Sequence, residues 1–418
     1  MAKFLLAAAL AGVSLCAQTI PLSEYKERRE QLRKSIESAT LILFGETDDG
    51  LGDTRDGFFQ EPNFFYLTGW KEPGAILLMN AKSEILLLPL RNEKKEIFSG
   101  RLAAPADDGL AARTGFTTVL AAESFESQLF KMLETSTKVL TLDGQSRAEK
   151  LKSLLAMRKV ADASAIIAKL RAVKSKNELA ALQHSIDATL EAHRAAWKRL
   201  RAGLYEYQIA TTMTASYNEA GCERSAYPPI VGSGKNSTIL HYFNNTRRMD
   251  AGEVLLMDVG AECAGYAADV TRTVPVNGKF TPRQREIYDI VLGAQNAAIA
   301  AVKPGITFSK SDPNSLYKIA LDYINSHGKD LRGQALGQYF THGLGHHIGL
   351  DVHDPHSSDL PLVEGAVVTI EPGIYIPEEG FGVRIEDMVL VTANGGKLLS
   401  GALPREAKDI ERALAKSE

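Results

Sequence analysis

Cysteine is scarce in this chain, with three residues in 418. That excludes a small disulfide-framed scaffold, and a chain of this length can bury a core without one. An excess of one charge is also missing. Lys and Arg number 48 against 51 Asp and Glu, a formal net charge of −3, whereas a nucleic-acid binder shows a basic field. No apolar run reaches the roughly 20 residues that cross a bilayer, so no stable membrane anchor is expected. Short-period repeats and low-complexity linkers are absent too. What is present is ordinary globular material, 44% hydrophobic and 24% charged, long enough for two or three domains.

The N-terminus, "MAKFLLAAALAGVSLCAQT", has Lys3, a run of apolar or small residues from Phe4 to Cys16, then Ala17. This order reads as a secretory signal over residues 1–17, cut after Ala17, and predicts an exported, periplasmic or secreted chain. Leu15 is bulky where such sites favour small residues, which leaves an uncleaved anchor or a buried N-terminal segment as alternatives. After cleavage only Cys222 and Cys263 remain. One bridge between them is open but nothing in the sequence requires it.

Residues 21 to 38 carry Leu22, Tyr25, Leu32 and Ile36 at near-helical spacing. "TLILFGE", "GAILLMN" and "EILLLPL" are short apolar runs bounded by Gly, Asn and Lys, which predict strands of a mixed sheet. "SFESQLFKMLE" predicts a helix and "KVLTLDG" a further strand. This alternation predicts an α/β domain over residues 18–165. A long helical pattern then runs through "ASAIIAKLRAVKSKNELAALQHSIDATLEAHRAAWKRL", broken near Ser175. Helices at "LYEYQIATTMTASYNEAG" and "TPRQREIYDIVLGAQNAAIAAV" and glycine-punctuated strands complete a second unit over 166–418. The fold class is α/β (α+β).

Within that unit, "THGLGHHIGLDVHD", residues 341–354, holds four of the nine histidines. The His342 to His346 spacing matches two imidazoles on one helix face, as in zinc proteases. Those carry Glu after the first His, where Gly343 stands here. Gly343, Gly345 and Gly349 would each cost a helix about 1 kcal/mol. The stretch therefore reads as a glycine-rich loop that lets backbone and imidazoles approach something closely. By itself it fits a metal or catalytic role no better than a solvated histidine tract.

Two hairpin-like segments supply partners. In "EVLLMDVGAECAGYAADVTRTV", a turn centred between Cys263 and Ala264 places Asp258 opposite Asp269. In "VVTIEPGIYIPEEGFGVRIEDMVLV", a turn near Glu378 and Glu379 places Glu371 opposite Glu386. Directly opposed Cβ atoms lie roughly 4.5–5.5 Å apart. Carboxylates that close, in strands with apolar flanks, must be paired or bound to cations. Buried salt bridges to Arg272 and Arg384 would satisfy one hairpin as well as a metal would. For two hairpins and a histidine loop, four carboxylates and one imidazole make a coherent ligand set. Its oxygen-rich character suits Mn²⁺, with Co²⁺ or Zn²⁺ less distinctive.

These segments, with "NSTILHYFNNT" before and "VRIEDMVLV" after, resemble the Xaa-Pro aminopeptidase (aminopeptidase P) and prolidase family of dinuclear metallopeptidases. The segments follow in family order over residues 230 to 391. "GFFQEPNFFYLTGWKEPGAILLM" resembles the N-terminal domain of aminopeptidase P. "LRAVKSKNELAALQHS" resembles the entry to the catalytic domain. The resemblance implies an aminopeptidase P-type N-terminal domain followed by a pita-bread catalytic domain around two divalent ions. It implies Asp258 on one ion, Asp269 and Glu386 bridging, and His346 and Glu371 on the other. Hydrolysis of the bond before a penultimate proline would use a metal-bridging hydroxide, with Glu371 as proton shuttle and His353 and His241 at the reacting carbonyl. His342 and Arg384 would lie near the substrate. A homo-oligomer, dimer or tetramer, is implied as well. His347 departs from the family pattern and would either alter the pocket or pack. Rival readings are a prolidase restricted to dipeptides, a metal-free binding protein on the same fold, and a metal-independent amidinohydrolase. The last two predict missing ligands, and all five candidate positions are intact.

Overall fold

The structure, a computed structural model, describes residues 20–48, 57–155 and 157–415. The leader-like residues 1–17 lie outside them. The first unit is built on β1 (Ala39–Phe44), β2 (Ile76–Met79), β3 (Glu84–Leu88), β4 (Val119–Ala121), β5 (Lys138–Thr141) and β6 (Val160–Asp162). They form one sheet in the order β4–β3–β2–β1–β5–β6. β1 is antiparallel to β2 and parallel to β5, the mixed pairing expected. Every residue of β1 is buried. Leu41 and Leu43 face a core shared with helix Leu22–Ile36, while Ile42 and Phe44 face one shared with helices Phe125–Leu133 and Ser146–Leu154. Cover on both faces is why this strand reads as a continuous apolar run instead of an alternation.

The long helical pattern does break at Ser175. Ser175 Oγ accepts from Glu178 N and Glu178 Oε2 accepts from Ser175 N, both at 3.0 Å. This capping box starts helix Lys176–Arg199 afresh after helix Ser164–Ala172. The strands that follow are β7 (Arg224–Ser225), β8 (Ile230–Ser233), β9 (Val254–Val259), β10 (Ala261–Cys263), β11 (Tyr266–Ala267), β12 (Val270–Pro275), β13 (Val367–Ile370), β14 (Gly373–Ile376), β15 (Phe381–Arg384), β16 (Asp387–Thr392) and β17 (Gly395–Leu398). Helices Lys176–Arg199 and Glu206–Glu219 pack on each other and on β7, β8, β10, β11 and β12. Helix Pro282–Ala301, backed by helix Leu316–His327, packs on β13, β14, β15 and β17. The two α/β halves close on each other where β15 meets β9 and β12. This is the pita-bread arrangement.

The first hairpin departs from the expected register by two residues. Asp258 faces Thr271, and the turn falls at Ala264 and Gly265 between the paired Cys263 and Tyr266. Ala264 (φ 54°) and Gly265 (φ 83°) are both left-handed, as two-residue hairpin turns of matching twist require. A slip of two keeps every side chain on its face, so Asp269 stays beside Asp258 as a diagonal neighbour. The close approach depends on Gly260, where a Cβ would lie 1.8 Å from the Ala268 carbonyl oxygen. The second hairpin keeps its register. Ile370 faces Asp387 and Gly373 faces Arg384, which sets Glu371 opposite Glu386. Cys222 and Cys263 form a disulfide, the pairing the sequence left open.

A buried ionic knot joins the units behind the histidine loop. Arg171 donates to Asn63 at 2.8 Å and to Asp351 and Asp354 at 2.6 Å, and Lys174 donates to Asp354 at 2.7 Å. Burial works against ionisation of Asp354, but Lys174 and Arg171 outweigh it and hold its pKa down to about 2. The folded value lies below the unfolded one of about 3.9. Its stabilisation is therefore complete above about pH 4 and is lost as pH falls through about 2. Asp354→Asn should destabilise the chain by about 3 kcal/mol at neutral pH, because it leaves a buried Lys174 unanswered. Urea unfolding midpoints across the pH range should show the gap to wild type narrowing between pH 4 and 2. A gap independent of pH would contradict the assignment.

Candidate metal centre

The strands deliver Asp258, Asp269, Glu371 and Glu386 to one cleft, and the loop 341–354 brings His346 to them. No helix forms in this loop. It lies flush along β13, with Thr369 N donating to His346 O at 2.9 Å and Glu371 N to Leu344 O at 2.8 Å. Gly345 makes that fit possible, since a Cβ would lie 2.0 Å from the Thr369 carbonyl oxygen. His346 Nδ1 donates to the His347 carbonyl oxygen at 3.1 Å, which fixes the tautomer and leaves Nε2 as a lone pair. That Nε2 lies 3.5 Å from Asp269 Oδ2 and 3.5 Å from Glu371 Oε1. Ligand atoms of Asp269, His346 and Glu386 lie within 4.8 Å of one another.

The arginine alternative accounts for one carboxylate only. Arg384 is buried and donates to Asp258 and, at 2.8 Å, to the Tyr375 hydroxyl. Arg272 pairs with Asp387 at 2.8 Å and does not reach the cleft carboxylates. Burial disfavours the charge on Asp258, yet Arg384 holds its pKa below the usual range. Asp269 and Glu386 are pushed well above it, by burial and by the carboxylates around them. Glu371 is raised by burial. Tyr227 Oη lies 2.6 Å from Asp258 Oδ1 and 2.5 Å from Asp269 Oδ1, and its single proton serves one of them at a time. Glu386 Oε2 accepts from Thr271 Oγ1 at 2.7 Å, while Oε1 is buried with no partner. A buried acceptor left alone is costly. The set fits divalent cations: oxygen-rich, one imidazole aimed inward, one orphaned carboxylate oxygen and a surplus of negative charge.

The remaining candidates line the same cleft, about 520 Å³ in volume: His241, His342, His353 and Arg384. His342 Nε2 is 2.8 Å from the Tyr375 hydroxyl, and burial with nearby Arg384 brings its pKa down to about 3. The His353 ring packs 4.2 Å from that of His346, and its pKa is lowered by burial, His346 and His241. His241 is exposed and stacks on Phe243. His347 is buried behind the cleft, stacked on His356 at 3.7 Å with both ring nitrogens unpartnered. It packs and does not shape the pocket.

Sequence reasoning missed Tyr227, Tyr375, Thr271 and Thr369. The threonines were legible in principle, because Asp269 and Thr271, like Thr369 and Glu371, are two apart and share a strand face. Tyr227, before Pro228 and Pro229 in a loop, carries no such signal.

Comparison with known proteins gives a consistent result. Residues 180–393 match the model of metallopeptidase family M24, and residues 25–141 match the aminopeptidase P N-terminal domain. The chain is similar to the Xaa-Pro aminopeptidase of Haemophilus influenzae, 34% identical over 94% of this chain and 97% of the relative. It is also similar to the mitochondrial intermediate cleaving peptidase 55 of Arabidopsis thaliana, 30% identical over 94% of this chain and 83% of the relative. Among solved structures it resembles a zinc-substituted Escherichia coli aminopeptidase P in complex with product. That pair has a TM-score of 0.85 and 30% identity, and covers 96% of this chain and 99% of that chain. The Pseudomonas aeruginosa aminopeptidase gives a TM-score of 0.86 at 28% identity over the same shares.

Crowded carboxylates make a prediction about the metal-free chain. A carboxyl whose folded pKa lies above its unfolded value costs stability once pH exceeds the unfolded value. In chelator at neutral pH, Asp269→Asn should therefore raise stability by roughly 0.5–2 kcal/mol, as relief of functional-site strain commonly does. Urea midpoints measure this directly. A lower midpoint for the variant would mean that the carboxylates do not repel as described.

Proposed function

Since the chain belongs to the Xaa-Pro aminopeptidase family of metallopeptidases, we propose that it removes the N-terminal residue from peptides with proline in second place. The observation that carries this reading is the convergence of Asp258, Asp269, His346, Glu371 and Glu386 in one cleft with a single answering arginine. In the proposed assignment Asp258 would serve one ion, His346 and Glu371 would serve the other, and Asp269 and Glu386 would contribute to both. Mn²⁺ suits the donor set best, with Co²⁺ and Zn²⁺ as alternatives. Two such ions, when bound, supply a nucleophilic water and a Lewis acid for the carbonyl. Glu371 takes the proton from the attacking water and returns it to the leaving nitrogen. His353 and His241 donate hydrogen bonds to the developing oxyanion. With its pKa lowered, His353 does so as a neutral imidazole. His342, held by Tyr375, faces the substrate, and Arg384 orients Asp258 at the end that takes the free amine. The prolidase reading has less support, because the similar curated proteins are named Xaa-Pro aminopeptidase.

The proposal extends to the chain's setting. Export of a mature chain from about Gln18 is supported by the leader-like residues 1–17 and by the disulfide, which persists in oxidising compartments. Among the described residues no helix is long and apolar enough to cross a membrane. The proposed domain division between residues 165 and 166 lies within the first turn of helix Ser164–Ala172. For a homo-oligomer, dimer or tetramer, the support is helix Glu93–Ser99. It buries none of its residues and exposes Ile97 (81%) and Phe98 (90%).

A comparison of Xaa-Pro-Yaa, Xaa-Ala-Yaa and Xaa-Pro as substrates tests the reading. Release of the first residue from Xaa-Pro-Yaa, with the other two much slower, is expected. Preference for the dipeptide would favour a prolidase, and equal cleavage of the alanine peptide would refute proline selectivity. On the same peptide, His346→Ala should lose metal and activity together. His353→Ala should keep its metal while kcat falls about 10²–10³-fold, as for loss of an oxyanion donor. His347→Ala should keep both, and metal loss in that variant alone would overturn the ligand assignment.

A further inference from the structure

Glu371 and Glu386 both stand where one strand stops and the next begins. Glu371 falls between β13, which ends at Ile370, and β14, which begins at Gly373. Glu386 falls between β15, which ends at Arg384, and β16, which begins at Asp387. One side chain that does not line the cleft reaches both breaks. Gln295, fully buried on helix Pro282–Ala301, donates from Nε2 to the Ile370 and Ile385 carbonyl oxygens, each at 3.1 Å. Each carbonyl belongs to the peptide unit that carries a cleft glutamate as its next residue. The same Nε2 lies 3.0 Å from Asp387 Oδ2, so three acceptors claim two N–H groups. At the other end Oε1 accepts from Arg405 Nη1 at 3.1 Å. Turning the amide over would set acceptor against acceptor and donor against donor, which fixes its orientation.

What the amide holds is the spacing of the two glutamates. Like charges in buried space push apart, and the backbone at each glutamate is where such a push is taken up. Other contacts there serve one glutamate each. Glu371 N donates to Leu344 O at 2.8 Å, and Arg272 Nη1 donates to Glu386 O at 2.7 Å. Gln295 serves both from a single nitrogen. Groups behind metal ligands set the ligands' positions, and their loss commonly costs about 10–100-fold in metal affinity. We propose that Gln295 is a positioning residue of the metal centre, fixing the distance between Glu371 and Glu386 and through it the affinity for divalent cations. The proposal rests on the metal assignment above.

The test is competition between the full chain and a chelating dye for Mn²⁺, in wild type, Gln295→Met and Gln295→Asn. Met keeps the length of the side chain and removes the donor, whereas Asn keeps the amide and withdraws it by one methylene. Both variants should bind Mn²⁺ about 10–100-fold more weakly than wild type. At saturating Mn²⁺ their kcat on an Xaa-Pro-Yaa peptide should return close to the wild-type value, since no ligand or proton carrier has been removed. Urea midpoints in chelator establish that each variant is folded before metal is added, and Gln295→Asn decides where Gln295→Met fails to fold. Mn²⁺ affinity equal to wild type in the folded variants would overturn the proposal. So would a kcat that stays about 10²-fold low with metal saturating, because the role would then lie in the chemistry. Wild type that binds no Mn²⁺ would instead sink the metal assignment, which keeps the two failures apart.

Discussion

Four carboxylates share a cleft in which the described residues supply one arginine. Arg384 answers Asp258, and Arg272 is committed to Asp387. Asp269, Glu371 and Glu386 therefore face one another across buried space, where like charges cannot all persist unaided. Much of the surrounding architecture exists to hold this unfavourable arrangement. Two hairpins from opposite halves set the acids face to face. Gly260 and Gly345 allow backbone approaches that no side chain would tolerate. Tyr227, Thr271 and Thr369 take up part of the hydrogen-bonding demand. The strain at the site is offset by packing elsewhere, a pattern common to functional centres.

The first unit contributes to that rigidity. Arg171 reaches from the connecting helix to Asn63 on one side and to Asp351 and Asp354 on the other. Asp354 N in turn donates to the His347 carbonyl oxygen at 2.9 Å. The position of His353 is thus set by a buried ion cluster that spans both units. Arg28 ties them a second time, lying 3.4 Å from Glu178 at the start of the long helix. Deleting the first unit would remove the Asn63 tie to Arg171 and loosen the histidine loop, so its role extends beyond a spacer.

Much of this was legible in the residues themselves. Strands buried on both faces showed as unbroken apolar runs, and the helix break near Ser175 was legible, while its pairing with Glu178 came from the structure. The Glu371 and Glu386 register followed from a turn flanked by clear alternation. The Asp258 and Asp269 register did not, because Ala264 adopts a left-handed conformation that alanine seldom signals. The two-residue slip cost nothing in function, since strand periodicity kept both acids on one face. The disulfide was left open because Cys222 and Cys263 are brought together by the pairing of β7 with β10, which spacing along the chain does not signal. His347 looked like a departure within the site, and burial against His356 explains it as packing.

The most direct test of the cation requirement is elemental analysis of active protein, followed by stepwise chelation with hydrolysis of an Xaa-Pro-Yaa peptide monitored throughout. Two divalent ions per active chain are expected, with activity lost as they are removed and restored by Mn²⁺ or a similar ion. Full hydrolytic activity in a preparation that contains no transition metal would contradict it.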